Sequence, residues 1–360
     1  MTRKFSFRKG QPWLYTPGAD FLFILFPAFA VSLSVILFPD FFESNSGLNP
    51  LLWFLLVVGI DVAHVYSTLY RTYFDAEERK TYGNLLWSIP VFAFLGGLTL
   101  FLLDGEWFWR GMAYLAVFHF IRQQYGFMRL YSRKEQNAPG WEKWVDASAI
   151  YMAALYPIIF WHSHPREFNW FVEGDFFVLS FPEVEKVALL LWVISLSLFA
   201  GKEMWKFIRT DQFNLPKFLI VSGTALSWYI GIVAFNGDLS FTLTNVIAHG
   251  IPYMALIWIY ERKKANPRDE KKFFRPFLIP VFVGFLILLA WLEEGFWDGL
   301  VWGDHAAFFP GFSALPSIKD SALLALVVPL LAVPQLTHYL LDGFIWKVQS
   351  PENNVAEILD

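Results

Sequence analysis

The sequence predicts an all-α, polytopic integral membrane helix bundle of about ten transmembrane helices, organised as a single integral membrane domain over residues 1–360. Three observations carry this expectation. First, 56% of the residues are hydrophobic and 17% charged. That leaves too little polar surface to wrap a soluble domain of this size, so lipid must cover much of it. Second, the apolar residues gather into ten runs close to the roughly 20 residues that a helix needs to cross the hydrocarbon core. Third, basic residues alternate from loop to loop as the positive-inside rule requires. The runs are helices because a helix satisfies every backbone N–H and C=O within one segment. They are too long and continuous for the alternating strands of a membrane β-barrel.

The first span, Phe21–Pro39, follows a basic start with no small-residue cleavage site, which reads as a retained terminus and not a signal peptide. Pro50–Tyr70 is the first span with ionisable groups, and Leu85–Leu103 has none in its core. Trp107–Leu130 is polar again, whereas Trp144–Trp161, Val187–Ile208 and Pro216–Phe235 have apolar cores. Phe241–Tyr260 carries polar groups, Pro276–Leu292 does not, and Ala322–Trp346 closes the series with a last polar stripe. With the N-terminus inside, the inner segments hold most of the 28 Lys and Arg, including Arg3, Lys4, Arg8 and Lys9, then Arg129, Arg133, Lys134 and Lys143, and the run from Arg262 to Arg275. The outer segments hold Arg110, Arg166, Lys186 and Lys319, and Arg122 lies inside a span. One span missed or added would invert this alternation. The expected location is therefore the cell (cytoplasmic) membrane, with both termini cytoplasmic. Two outer loops are long, His162–Lys186 and Glu293–Lys319. The second holds Trp302-Gly303-Asp304-His305 and Phe308-Phe309-Pro310-Gly311-Phe312, an aromatic stretch expected to lie in the interface or dip back.

Composition also excludes functions. A net charge of −4 argues against a nucleic-acid partner. The absence of Cys removes disulfides, thiolate metal sites, iron–sulfur clusters and a Cys nucleophile. No phosphate-cradling Gly-Lys loop and no nucleophile elbow occur.

What remains is a set of polar stripes inside four spans. Span 2 has Asp61 and His64, with Arg71 and Asp75 at its inner end. Span 4 has His119, Arg122, Gln123 and Gln124, span 8 has Asn245, His249 and Tyr253, and span 10 has Gln335, His338 and Asp342. Residues three or four apart share a helix face, so each span shows one stripe with one His. All four spans run from outside to inside, and the four His lie roughly 10–20 Å above the inner boundary at 1.5 Å per residue. Four imidazoles are thus expected in one layer. Charged groups in hydrocarbon cost several kcal/mol and normally face the bundle interior.

Three readings of that layer stay open. One is a metal site for iron or another transition metal, a single ion or a di-iron pair, with His64, His119, His249, His338, Asp61 and Asp342 as ligands. Arg122, Gln123, Asn245 and Tyr253 would stand behind them. Such a site suits a membrane-embedded oxidoreductase acting on a lipid-soluble substrate, with membrane lipid as the surroundings. The second is haem clamped between two His, as in a membrane electron-transfer protein, with Gly126, Ala248, Gly250 and Gly343 as the small residues nearby. The third is a hydrogen-bonded polar core, or a transporter or channel path, in which Arg122 bridges Asp61 and Asp342.

Four stretches also carry a resemblance. They are Asp61-Val-Ala-His64, His119-Phe-Ile-Arg122-Gln-Gln, Asn245-Val-Ile-Ala-His249-Gly-Ile-Pro-Tyr253 and His338-Tyr-Leu-Leu-Asp342-Gly. Together they resemble an uncharacterised family of bacterial multi-pass membrane proteins. The resemblance spans most of the chain and brings no known reaction. The His-x-x-His-His boxes of membrane desaturases are absent.

Overall fold

A computed structural model describes residues 10–135, 138–264, 278–346 and 355–359. Arg3, Lys4, Arg8 and Lys9, most of the run from Arg262 to Arg275, and Pro276 at the start of the ninth span lie outside the described residues. Among those described, the chain is helical with no strand. Ten long helices follow one another: α1 (Pro17–Leu37), α2 (Pro50–Arg71), α3 (Ala76–Leu103), α4 (Gly105–Tyr131), α5 (Gly140–Ser163), α6 (Pro182–Thr210), α7 (Leu215–Ala234), α8 (Asp238–Lys264), α9 (Ile279–Trp302) and α10. The last is broken into α10a (Ser321–Leu331) and α10b (Val333–Ile345), which meet at 41°. Pro334 in the first turn of α10b accounts for the break, since it cannot donate to the preceding turn. Pro252, by contrast, is accommodated inside an unbroken α8.

Eight of these helices are long and apolar enough to cross a membrane, and the bent pair makes a ninth. The remaining one, α4, has 27 residues, about 40 Å at 1.5 Å per residue, and is more polar because it carries Arg110, His119, Arg122 and Arg129. The described loops meet on two opposite faces. On one, Arg133 after α4 donates to the carbonyls of Pro12, Trp13 and Leu359, at 2.7, 2.8 and 3.0 Å. Gln11 pairs with Phe213 and with Leu215 at the start of α7, and Lys264 reaches Asp75 and Glu78 at 3.0 Å. On the other face Ser46 meets Leu239, Arg110 meets Gly174, and Leu300 meets Ile318. Trp13 and Leu359, close to the two ends of the described chain, therefore lie on one face.

Burial sorts the helices. In its most apolar stretch α8 is 67% buried, whereas α6 is 17% and α3 22%. So α8 is the hub, and α6 and α3 turn rows such as Leu190, Ile194 and Leu198, or Trp87, Val91 and Leu95, outward. Helix α8 packs on α1, α2 and α7, while α10b packs on α2, α3 and α4. Close approach of α8 to α2 depends on Gly250, where a Cβ would lie 2.8 Å from Ile60 Cγ2 and 3.2 Å from the Ile60 carbonyl.

Two features depart from expectation. Glu293 and Glu294 were expected in an outer loop, but α9 continues through them to Trp302, and Tyr66 donates to Glu293 at 2.6 Å. Lipid-free burial against α2 lets the helix run on past an acidic pair that would otherwise end a span. Second, α5, α6 and α7 are clamped by a buried ion network: Lys202 pairs with Asp146 and Glu203, and Lys217 with Glu135, Asp146 and Glu203. The aromatic loop after α9 does fold back, with His305 stacked on Trp53 at 3.7 Å, Phe308 on Phe54 at 4.8 Å, and Phe309 fully buried.

Candidate metal centre

The four His-bearing helices, α2, α4, α8 and α10b, surround one interior point. One nitrogen from each of His64, His119, His249 and His338 lies within 4.8 Å of those of the others. All four side chains are buried, at 1–2% exposure. His64 Nε2 faces His249 Nε2 at 3.0 Å, and the ring centroids of His119 and His338 are 4.5 Å apart. The layer expected from helical depth is thus present. His249 is also held flat on Phe120, with ring centroids 3.5 Å apart.

One outward nitrogen, His338 Nδ1, is hydrogen-bonded and fixes which way its ring turns. His338 Nδ1 is 2.7 Å from Thr68 Oγ1, Thr68 Oγ1 is 3.0 Å from Tyr253 OH, and Tyr253 donates to Asp342 Oδ1 at 2.5 Å. A chain that ends on a carboxylate acceptor runs one way. Thr68 then donates to Tyr253, His338 Nδ1–H donates to Thr68, and His338 Nε2 carries the lone pair, a tautomer assigned from the network. His119 Nδ1 lies 3.7 Å from Asp342 Oδ2, and His64 Nδ1 lies 3.7 Å from Asp61 Oδ1. Asp61 and Asp342 therefore stand behind the imidazoles, outside the group of four converging nitrogens. Both separations are too long for a direct hydrogen bond.

The remaining predicted residues divide. Gln123 Nε2 donates to the His249 carbonyl at 3.0 Å, and Asn245, one turn before His249, donates through Nδ2 to the Phe241 carbonyl. Tyr253 joins the relay. Arg122 does not bridge Asp61 and Asp342. It is exposed, donates to Tyr151 OH at 2.5 Å and lies over the Tyr125 ring. Its Cα lies about 60° around the helix from that of His119, and its long side chain reaches from there toward α5. Thr68 was not singled out from the sequence, although it lies four residues after His64 on the same face. Threonine in a helix usually bonds back to its own chain, so spacing alone gives no signal.

Polar satisfaction tests whether these residues fit an ion. His64 Nδ1, His119 Nε2, His249 Nδ1, His338 Nε2, Gln123 Oε1 and Asn245 Oδ1 are buried without a hydrogen-bond partner. Each such atom costs about 1–3 kcal/mol if left so. A cation taking the Nε2 atoms would occupy the inward-facing orphans, His119 Nε2 and His338 Nε2, and would separate the two facing Nε2 atoms of His64 and His249. Imidazole suits iron, zinc, copper and nickel.

Two clefts open toward this centre from opposite faces, and the first borders one of its histidines, His119. The cleft from the terminal face, about 830 Å³, is bordered by His119, Tyr253 and Asp342 and by the cations Arg122, Arg129 and Lys143. The one from the other face, about 500 Å³, is bordered by Asp61 and Asn245 and by the acids Glu167, Asp238, Glu294 and Asp304. The chain matches no protein-family model, no curated protein and no solved structure.

Proposed function

We propose that this multi-pass membrane protein is a metal-dependent oxidoreductase whose four-histidine centre, in the half of the bilayer nearer the termini, acts on a lipid-soluble substrate. The observation that carries the reading is the convergence of four buried imidazole nitrogens within 4.8 Å. Bound iron would supply electron transfer to dioxygen, an apolar oxidant that enters from the bilayer. The four imidazoles would hold the iron, and imidazole is a ligand type that suits it. The chain's own part is to orient and to exclude water. Thr68, Tyr253 and Asp342 hold the tautomer of His338, Asp61 and Asp342 back His64 and His119, and Phe120 fixes the plane of His249. The terminal face is assigned to the cytoplasm, because the basic loops lie there.

Contact between the imidazoles weighs against haem, since a macrocycle clamped by any two of them must displace the others. A transport reading draws support from clefts on both faces. Their opposite charge opposes it, because a cation drawn into the acidic cleft meets Arg122, Arg129 and Lys143 on the way out. The test is to load purified protein with ferrous iron anaerobically, admit dioxygen and follow the iron by Mössbauer spectroscopy. Conversion of the bound iron in wild type but not in His119→Ala supports the oxidoreductase. Bound ferrous iron that dioxygen leaves unchanged overturns it, while leaving the metal site standing.

A further inference from the structure

We infer that the substrate is an anionic amphiphile, a hydrocarbon chain with one carboxylate or phosphate head, taken in through the cleft on the terminal face. The inference rests on the oxidoreductase reading for the word substrate, and on the cleft alone for the chemistry bound. Three cations line the cleft, and among the described residues Asp342, which accepts from Tyr253, is its only acid. Arg122 keeps its hydrogen bond to Tyr151, and neither Arg129 nor Lys143 has an ion pair or side-chain hydrogen bond among the described residues. Cations left unneutralised beside a membrane centre call for an anion. Phe127, Leu130, Leu256 and Trp346 give the cleft an apolar wall, beside the polar groups of Gln123 and Tyr253. Phe118 and Arg122 on the rim are exposed, so a chain can slide in sideways from lipid.

Helix geometry sets the register. Arg129 lies ten residues beyond His119 on α4, about 15 Å at 1.5 Å per residue. A head held by Arg129 and Lys143 places a position well along the tail, not the head itself, next to His119. The terminal face is where an inner-leaflet head group would sit.

Binding decides this without turnover. Palmitate, hexadecyl phosphate, hexadecanol and inorganic phosphate are titrated into the full chain in a neutral maltoside detergent by calorimetry, with and without metal. The two anionic amphiphiles should bind at least about tenfold tighter than hexadecanol, since a hydrogen bond to a charged group is worth about 1.5–3 kcal/mol. The double variant Arg129→Gln, Lys143→Gln should lose that preference and keep the weaker hexadecanol binding, which also reports an intact cleft. Equal binding of palmitate and hexadecanol overturns the anion subsite. Inorganic phosphate binding as tightly as hexadecyl phosphate overturns the amphiphile in favour of a free anion. Either failure with metal still bound strikes the substrate class alone and leaves the metal centre intact.

Discussion

Adding one methyl group at Gly250 should loosen the centre from outside it. The Cβ of Gly250→Ala would stand 2.8 Å from Ile60 Cγ2 and 3.2 Å from the Ile60 carbonyl, and 3.6 Å from His64 Cβ. Ordinary carbon contacts begin near 3.4 Å, so Ile60 Cγ2 must retreat by about 0.6 Å. Ile60 is β-branched and stiff, and its carbonyl belongs to the backbone of α2, so the helix must move with it. His64 is one turn further along α2, and His249 adjoins the substituted residue. The shift therefore widens the 3.0 Å approach between their Nε2 atoms. Overpacking of this kind costs about 1–3 kcal/mol, and a metal site misplaced by half an ångström should bind its ion about 10- to 100-fold more weakly. Thermal unfolding in detergent and competitive metal titration measure the two effects. Ile60→Ala on the Gly250→Ala background removes Cγ2 and should restore part of both. Wild-type stability and wild-type affinity in Gly250→Ala would refute the packing account of how α2 and α8 position their histidines.

Thr68→Val removes the hydroxyl between His338 and Tyr253 without changing volume, and should weaken metal binding about 10-fold while leaving a buried Nδ1 unpaired at about 1–3 kcal/mol; titration and unfolding check both. Asp75 accepts from the Glu77 and Glu78 amides at 2.8 and 3.2 Å at the start of α3 and pairs with Lys264 at 3.0 Å. Burial alone would raise its pKa, but the Lys264 ammonium and the amides outweigh burial and hold it below the usual carboxylate range. Its stabilisation is present above the unfolded value near about 4 and fades as pH falls through the lower folded value. Asp75→Ala should thus cost about 1–2 kcal/mol at neutral pH and flatten the acid limb of an unfolding-versus-pH curve. The native chain has no Cys, so single cysteines report topology. Glu173→Cys should react with an impermeant maleimide in intact cells and Lys134→Cys should not; the reverse would turn the protein over.

The stripes themselves were legible in the sequence. Asp61 with His64, Asn245 with His249 and Tyr253, and His338 with Asp342 sit at helical spacing in otherwise apolar runs, where an ionisable group has few places to face except inward. Equal depth then put four imidazoles in one layer before any packing was known. Arg122 was misread because sharing a face at its Cα does not bind a long side chain to that face. Glu293 and Glu294 looked like the end of a span because hydropathy cannot tell a loop from a helix continuing against a neighbour. The ion network of Lys202, Lys217, Asp146, Glu203 and Glu135 was invisible for a related reason. Its members sit near helix ends, where charge signals a boundary, and only tertiary contact brings them together. Thr68 needed the rotamers of two other helices to acquire a role.

Metal content of the purified protein tests the central claim most directly. The chain is solubilised in detergent without chelator, loaded anaerobically with ferrous iron, passed through a desalting column and analysed by inductively coupled plasma mass spectrometry. A four-histidine centre predicts about one or two equivalents of transition metal in wild type, and a loss of about 10-fold or more in affinity for His119→Ala and His338→Ala, each of which removes a ligand. Folded wild-type protein that retains under about a tenth of an equivalent, from iron, zinc, manganese or copper alike, would contradict the metal centre and leave the four histidines as a hydrogen-bonded core.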